Sequence, residues 1–168
     1  MLFRSGGLDP DATIEPSDIC LMNLCLDRVP IATWSDEQLA AYCRRYNIGW
    51  VVCWSPAVVQ RFREWPGVQV ITTVHDNGEG VLLKVKRSPS YALKGKAQLV
   101  EANHRYITFT RVEPESDVVV LSLHYQAGMR VTPSRVQLER EASGDDFIGF
   151  VRLRLAEPAE CVTITWER

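Results

Sequence analysis

The sequence predicts an α+β chain: a small α/β layer of helix, strand, helix, strand and hairpin strand, followed by an antiparallel β-sandwich. Three observations predict it. Ile48 to Trp54 is an apolar run pinned between two helix-start signals. Helical periodicity stops by Ser88. From there to the end, short alternating runs are separated by Gly, Pro, Ser and Asp clusters, the pattern of an all-β segment. The boundaries read as 1–16, a disordered or linker segment; 17–88, the α/β subdomain; and 89–168, the β-sandwich subdomain.

Composition sets the outer limits. The chain has 168 residues, 46% hydrophobic and 24% charged, with a net charge of −2. That is the balance of a globular protein, and it implies no basic surface for nucleic acid. No run approaches the roughly 18 apolar residues of a membrane span. Met1 to Ser5 is too short for a signal peptide. Leu2-Phe3-Arg4-Ser5 also reads as the translated end of a sequencing adapter, so Met1 is expected not to be a true start; a frayed native terminus is the other reading. Five cysteines fall at 20, 25, 43, 53 and 161. The odd count argues against a full disulfide framework. Cys43 and Cys53 lie on faces expected to be buried, as small hydrophobes do; a Cys20–Cys25 bridge has only proximity behind it.

Gly6, Gly7, Pro10 and Pro16 mark 6–16 as loop. Ser17 and Asp18 suit the start of a short helix carrying Leu21, Leu24 and Leu26, although a strand fits almost as well. Ser35-Asp36-Glu37-Gln38 is a capping box, with Trp34 and Leu39 placed as a hydrophobic staple. Leu39, Tyr42, Cys43 and Tyr46 recur at helical spacing. Arg44 and Arg45 suit the negative end of the helix dipole, and Asn47 can take the left-handed turn that ends it. Ile48 to Trp54 then has too little polarity to alternate, so the strand is expected to be central and covered on both faces. Ser55 caps the next helix, with Pro56 in its first turn and Val58, Val59, Phe62 and Trp65 inward. Pro66-Gly67 ends it. Val68 to Val74 and Val81 to Val85 follow as strands around the turn Asp76 to Gly80.

The sandwich strands are expected at 97–103, 105–111, 118–125, 129–132, 135–140, 147–155 and 161–166. Val119, Leu121, Leu123 and Tyr125 share one face. So do Phe147, Val151, Leu153 and Leu155, and likewise Val162, Ile164 and Trp166.

Residues that could carry chemistry are scattered. His75-Asp76 forms a pair without a nucleophile motif, and a surface turn is the simpler reading. His75, His104 and His124 lack ligand spacing for zinc. Asp145-Asp146 with Glu139 and Glu141 could hold calcium, or could be an acidic turn. Lys94-Gly95-Lys96 lacks the remainder of a phosphate loop. Ser55 lies in no nucleophile elbow. Trp34, Trp50, Trp54 and Trp65 could stack on sugars, but their spacing is expected to place at least Trp50 or Trp54 in the core. No catalytic, cofactor-binding or metal residue is assigned, and no cofactor is expected.

Three stretches together carry a resemblance: Trp34-Ser35-Asp36-Glu37-Gln38-Leu39, Tyr46-Asn47-Ile48-Gly49-Trp50-Val51-Val52 and Trp54-Ser55-Pro56. Ser122 to Val131 adds a matching hairpin. The order resembles the soluble C-terminal region of large bacterial polytopic membrane proteins similar to glycosyltransferases that use lipid-linked sugars. The resemblance covers Trp34 to Trp166. It implies a truncated fragment: a non-catalytic extracytoplasmic accessory domain that covers a membrane-embedded active site or binds glycan. Its implied partners are the membrane-embedded part of its own parent chain and a glycan or lipid-linked sugar. That family's membrane helices and acidic catalytic loops are not in this sequence, so no catalytic residue carries over. The alternatives are a free-standing carbohydrate-binding or adhesion β-sandwich, and a small zinc enzyme built on the scattered histidines.

Overall fold

A computed structural model describes residues 2–4, 24–27, 29–75, 79–88, 90–141 and 149–166. The fold is mostly antiparallel sheet, with two α-helices among the described residues. The chain divides into two compact units, Met1–Pro89 and Ser90–Arg168.

The first unit begins with β1 (Leu2–Arg4), β2 (Cys25–Leu26) and β3 (Val29–Pro30). The linker expected over 1–16 is thus corrected at residues 2–4, which pair antiparallel with β4 (Ile48–Cys53); the rest of that segment lies outside the described residues. A strand edge offers unpaired backbone groups, and a short extended segment satisfies them. The helix expected from Ser17 is corrected at its end. Leu24 and Asp27 have φ of 64° and 51°, and β2 pairs with β3 as a short ribbon. Positive φ at non-glycine residues is incompatible with a continuing helix.

Helix α1 (Asp36–Arg45) forms where local signals agree. Gln38 N donates to Ser35 Oγ at 3.2 Å, and Ser35 N donates to Gln38 Oε1 at 2.8 Å, so both halves of the capping box are made. Leu39, Tyr42, Cys43 and Tyr46 are buried. Asn47, at φ 50°, turns the chain out of the helix and into β4. Helix α2 (Pro56–Glu64) follows, with Pro56 in its first turn. Ser55 stands at the cap position, but its hydroxyl makes no cap hydrogen bond. Val58, Phe62 and Trp65 are buried, while Val59 is half-buried. Arg61 donates to Trp34 O and Asp36 Oδ1, both at 2.8 Å, tying α2 to the start of α1.

Strands β5 (Val68–His75) and β6 (Glu79–Val85) complete a four-stranded sheet in the order β1-β4-β6-β5. Both β4 and β5 are antiparallel to β6, so they run parallel to each other with β6 inserted between them. Helix α2 makes the crossover. Val51 and Leu83 are fully buried at the centre of this sheet. Strand β4 has neighbours on both edges, as expected of a central strand. It is not covered on both faces, because Trp50 is 38% exposed.

The second unit contains β7 (Ala92–Lys94), β8 (Lys96–Ala102), β9 (Tyr106–Glu113), β10 (Val118–His124), β11 (Arg130–Thr132), β12 (Gln137–Glu141), β13 (Phe150–Arg154) and β14 (Ala159–Thr165). They form two antiparallel sheets, β12-β13-β10-β7 and β11-β14-β9-β8. One buried cluster draws on both: Ile107, Phe109 and Ile164 from the second, and Leu121, Val151 and Leu153 from the first. Leu123, Tyr125 and Trp166 pack against it, as alternation predicts, while Phe147 lies outside the described residues. Strand β7 is an addition to the seven expected. It is short, and Gly95 closes the run too early for a pattern to emerge; in the structure Gly95, at φ +70°, joins β7 to β8, and a Cβ there would lie 2.7 Å from Glu113 O. Between β9 and β10, Ser116 and Asp117 have φ of 53° and 62°, and Glu115 bridges Val118. This is the two-residue turn whose twist matches antiparallel strands.

Candidate functional site

Strand alternation in the first unit brings three rows of side chains to one face of the sheet. Trp50 pairs with Lys84 and Lys84 with Gln69. Val52 pairs with Leu82 and Leu82 with Thr72. Gly80 pairs with Val74, and the Trp54 indole lies over Gly80: a Cβ on that glycine would sit 2.6 Å from Trp54 Nε1. The missing side chain makes room for the ring. Trp54 is 41% exposed, whereas Val52 between the two indoles is buried. Lys84 Nζ stands 5.7 Å from the Trp50 ring centroid, within cation–π range.

The tryptophans therefore correct the expectation that at least one of Trp50 and Trp54 is core. Trp65 is the buried one, 4% exposed, and Trp34 is half-buried with its ring edge-on to Tyr42 at 5.3 Å. Alternation could have found the pair: Trp50, Val52 and Trp54 have the same parity. What misled was the apolar run, which reads as two-sided burial. Chemically, the face offers two flat apolar platforms, one on β4 and one just past its end, with an ammonium, an amide and a hydroxyl in the neighbouring rows. Aromatic faces accept apolar C–H surfaces, and the polar groups beside them orient a ligand that is also hydroxylated.

The other candidate residues are placed as follows. His75 ends β5, exposed and in register with Glu79; Asp76 lies outside the described residues. His104 occupies the β8–β9 turn, where its carbonyl accepts from Trp166 Nε1 at 3.0 Å. His124 stacks on Phe150, with centroids 5.3 Å apart. Among the described residues, no group of three His, Cys, Asp or Glu side chains comes together.

Asp145-Asp146 lies outside the described residues, but Glu139 and Glu141 are placed, and both face guanidinium groups. Arg154 Nε donates to Glu139 at 3.0 Å and Arg152 Nη1 to Glu141 at 2.8 Å. Arg152 Nε lies 3.4 Å from Glu139 without hydrogen-bond alignment. The bond from Arg154 holds the Glu139 carboxyl below its ordinary range, against a smaller opposing effect of burial. Calcium at these two carboxylates would have to displace arginines.

Lys96 of the Lys94-Gly95-Lys96 segment pairs with Glu113 at 2.7 Å. Cys43 and Cys53 are buried, and burial pushes the Cys43 thiol up to about 12. Cys25 is free.

Compared with known proteins, the chain matches no family model, no curated protein and no solved structure.

Proposed function

We propose that this chain is a non-catalytic extracytoplasmic accessory domain of a bacterial membrane glycosyltransferase-like protein, and that it binds glycan on the face carrying Trp50 and Trp54. In this reading the first unit is a small α/β layer and the second a β-sandwich, whose two sheets share one core. The observation that carries the proposal is the pair of half-exposed indoles on one face of one sheet, with Lys84, Gln69 and Thr72 in register beside them. Sugar rings present C–H patches and a rim of hydroxyls, and such a face complements both. The partner remains the membrane-embedded part of the parent chain, with which this domain would cover the bound glycan.

Titration of the full chain with oligosaccharides, followed by tryptophan fluorescence and calorimetry, tests the binding. Saturable binding that is lost in Trp54→Ala and retained in a distant surface variant such as Val100→Ser supports the reading. Binding unaffected by Trp50→Ala and Trp54→Ala together would overturn the assignment of the face. Apolar spans encoded ahead of residue 1 fit the membrane parent; a secretion signal there would favour the free-standing module.

A further inference from the structure

We infer that the ligand of the Trp50–Trp54 face is an acidic saccharide, with its anionic group held by Lys84 while its rings lie on the indoles. The inference rests on the glycan-binding reading above and narrows it. Charge complementarity carries it. The chain as a whole is slightly acidic, with 19 Lys and Arg against 21 Asp and Glu. The three rows of this face reverse that balance. Among the described residues in them, Lys84 is charged and no carboxylate appears. Lys86, two residues further along and of the same parity, adds a second ammonium at that end, where it donates to Pro66 O at 3.2 Å.

The position of Lys84 makes the preference steeper than a charge count. Its ammonium lies over the Trp50 ring, 5.7 Å from the centroid. A neutral sugar stacking on that ring displaces the ammonium and forfeits the cation–π contact. An acidic sugar displaces it too, but exchanges the contact for a charge-assisted hydrogen bond. Binding is therefore penalised for one class and compensated for the other. The two indoles stand four residues apart on extended chain, about 13 Å, so a ligand that engages both is an oligomer, with its anionic group at the Trp50 end.

The test uses the full chain and four probes of matched length: a neutral gluco-oligosaccharide, an oligogalacturonate, a sulfated oligosaccharide and a phosphate-bearing one. The acidic probes are expected to bind at least roughly ten-fold tighter than the neutral one in dilute buffer. Lys84→Gln should erase that difference by weakening the acidic probes, with the melting curve as the control for folding, and about 1 M salt should do the same. The tightest of the three acidic probes identifies the anionic group as carboxylate, sulfate or phosphate. Equal binding of neutral and acidic probes, or a preference that survives Lys84→Gln, overturns the inference and leaves the glycan face standing. Binding of no probe defeats the glycan reading itself.

Discussion

Arg87 reaches back forty positions to hold Asn47: its Nη2 donates to Asn47 Oδ1 over 2.6 Å, and its Nη1 to Cys43 O over 2.8 Å. Cys43 O belongs to the last turn of α1, where the carbonyls lack helical donors and the dipole is negative, and Asn47 follows just beyond the helix end. Asn47 is buried and left-handed, so the guanidinium stabilises the turn that aims the chain into β4. Arg87→Ala should lower stability in urea denaturation by about 2 kcal/mol, the scale of hydrogen bonds to a charged group. Arg87→Lys should recover only part of it, because one ammonium does not reproduce the fork. An Ala variant as stable as the parent would show that the turn holds itself.

Gly80 and Trp54 form the second test. With a Cβ at 2.6 Å from the indole nitrogen, Gly80→Ala forces the ring off the strand. The expected result is a shift of tryptophan emission and weaker saccharide binding, with β6 still paired. Identical emission from the variant would contradict the packing of Trp54 on Gly80.

Val51 is fully buried between β1 and β6. Val51→Asp places a carboxylate where no cation faces it in the sheet register, at a cost of several kcal/mol. The first unit should fail to fold, seen as lost protection of its amides to hydrogen exchange. A cooperatively folded Val51→Asp variant would remove β4 from the core.

Glu139 provides the pH test. Folding holds its carboxyl below the ordinary value, chiefly through the hydrogen bond from Arg154. A depressed carboxylate contributes stability that is complete above the unfolded pKa, about 4.3, and is lost as pH falls through the folded value. Glu139→Gln should therefore flatten the acid side of the stability curve and leave the neutral side parallel to the parent. A Gln variant with the parent's acid limb would mean the pair contributes nothing.

The parts legible in the sequence are those governed by neighbours along the chain. The Ser35–Gln38 box, the exit at Asn47 and the parity of Leu121, Leu123, Val151 and Leu153 are fixed within a few residues, and each is found in place. The shared parity of Trp50 and Trp54 is legible too, but their exposure is not, because it depends on what stands across the sheet. Trp50 reads as core until Lys84 is known to be its neighbour, and Trp54 until Gly80 is known to lie beneath it. Strand β7 escaped because three residues are too few to display a period. Ser55 shows the reverse error: the right residue at the right place, without the bond that usually explains it there.

The insertion of β6 between β4 and β5 sets an order in time. Only three residues separate β5 from β6, whereas β4 meets β6 only after α2 and the whole of β5 have intervened. Closing the shorter loop costs less chain entropy, and contacts distant in sequence govern the speed of assembly. The hairpin is thus the template, β4 joins it carrying both tryptophans, and β1, farther still from β4 in sequence, joins last. The face carrying Trp50 and Trp54 is therefore absent from the hairpin alone and appears only when β4 docks on β6.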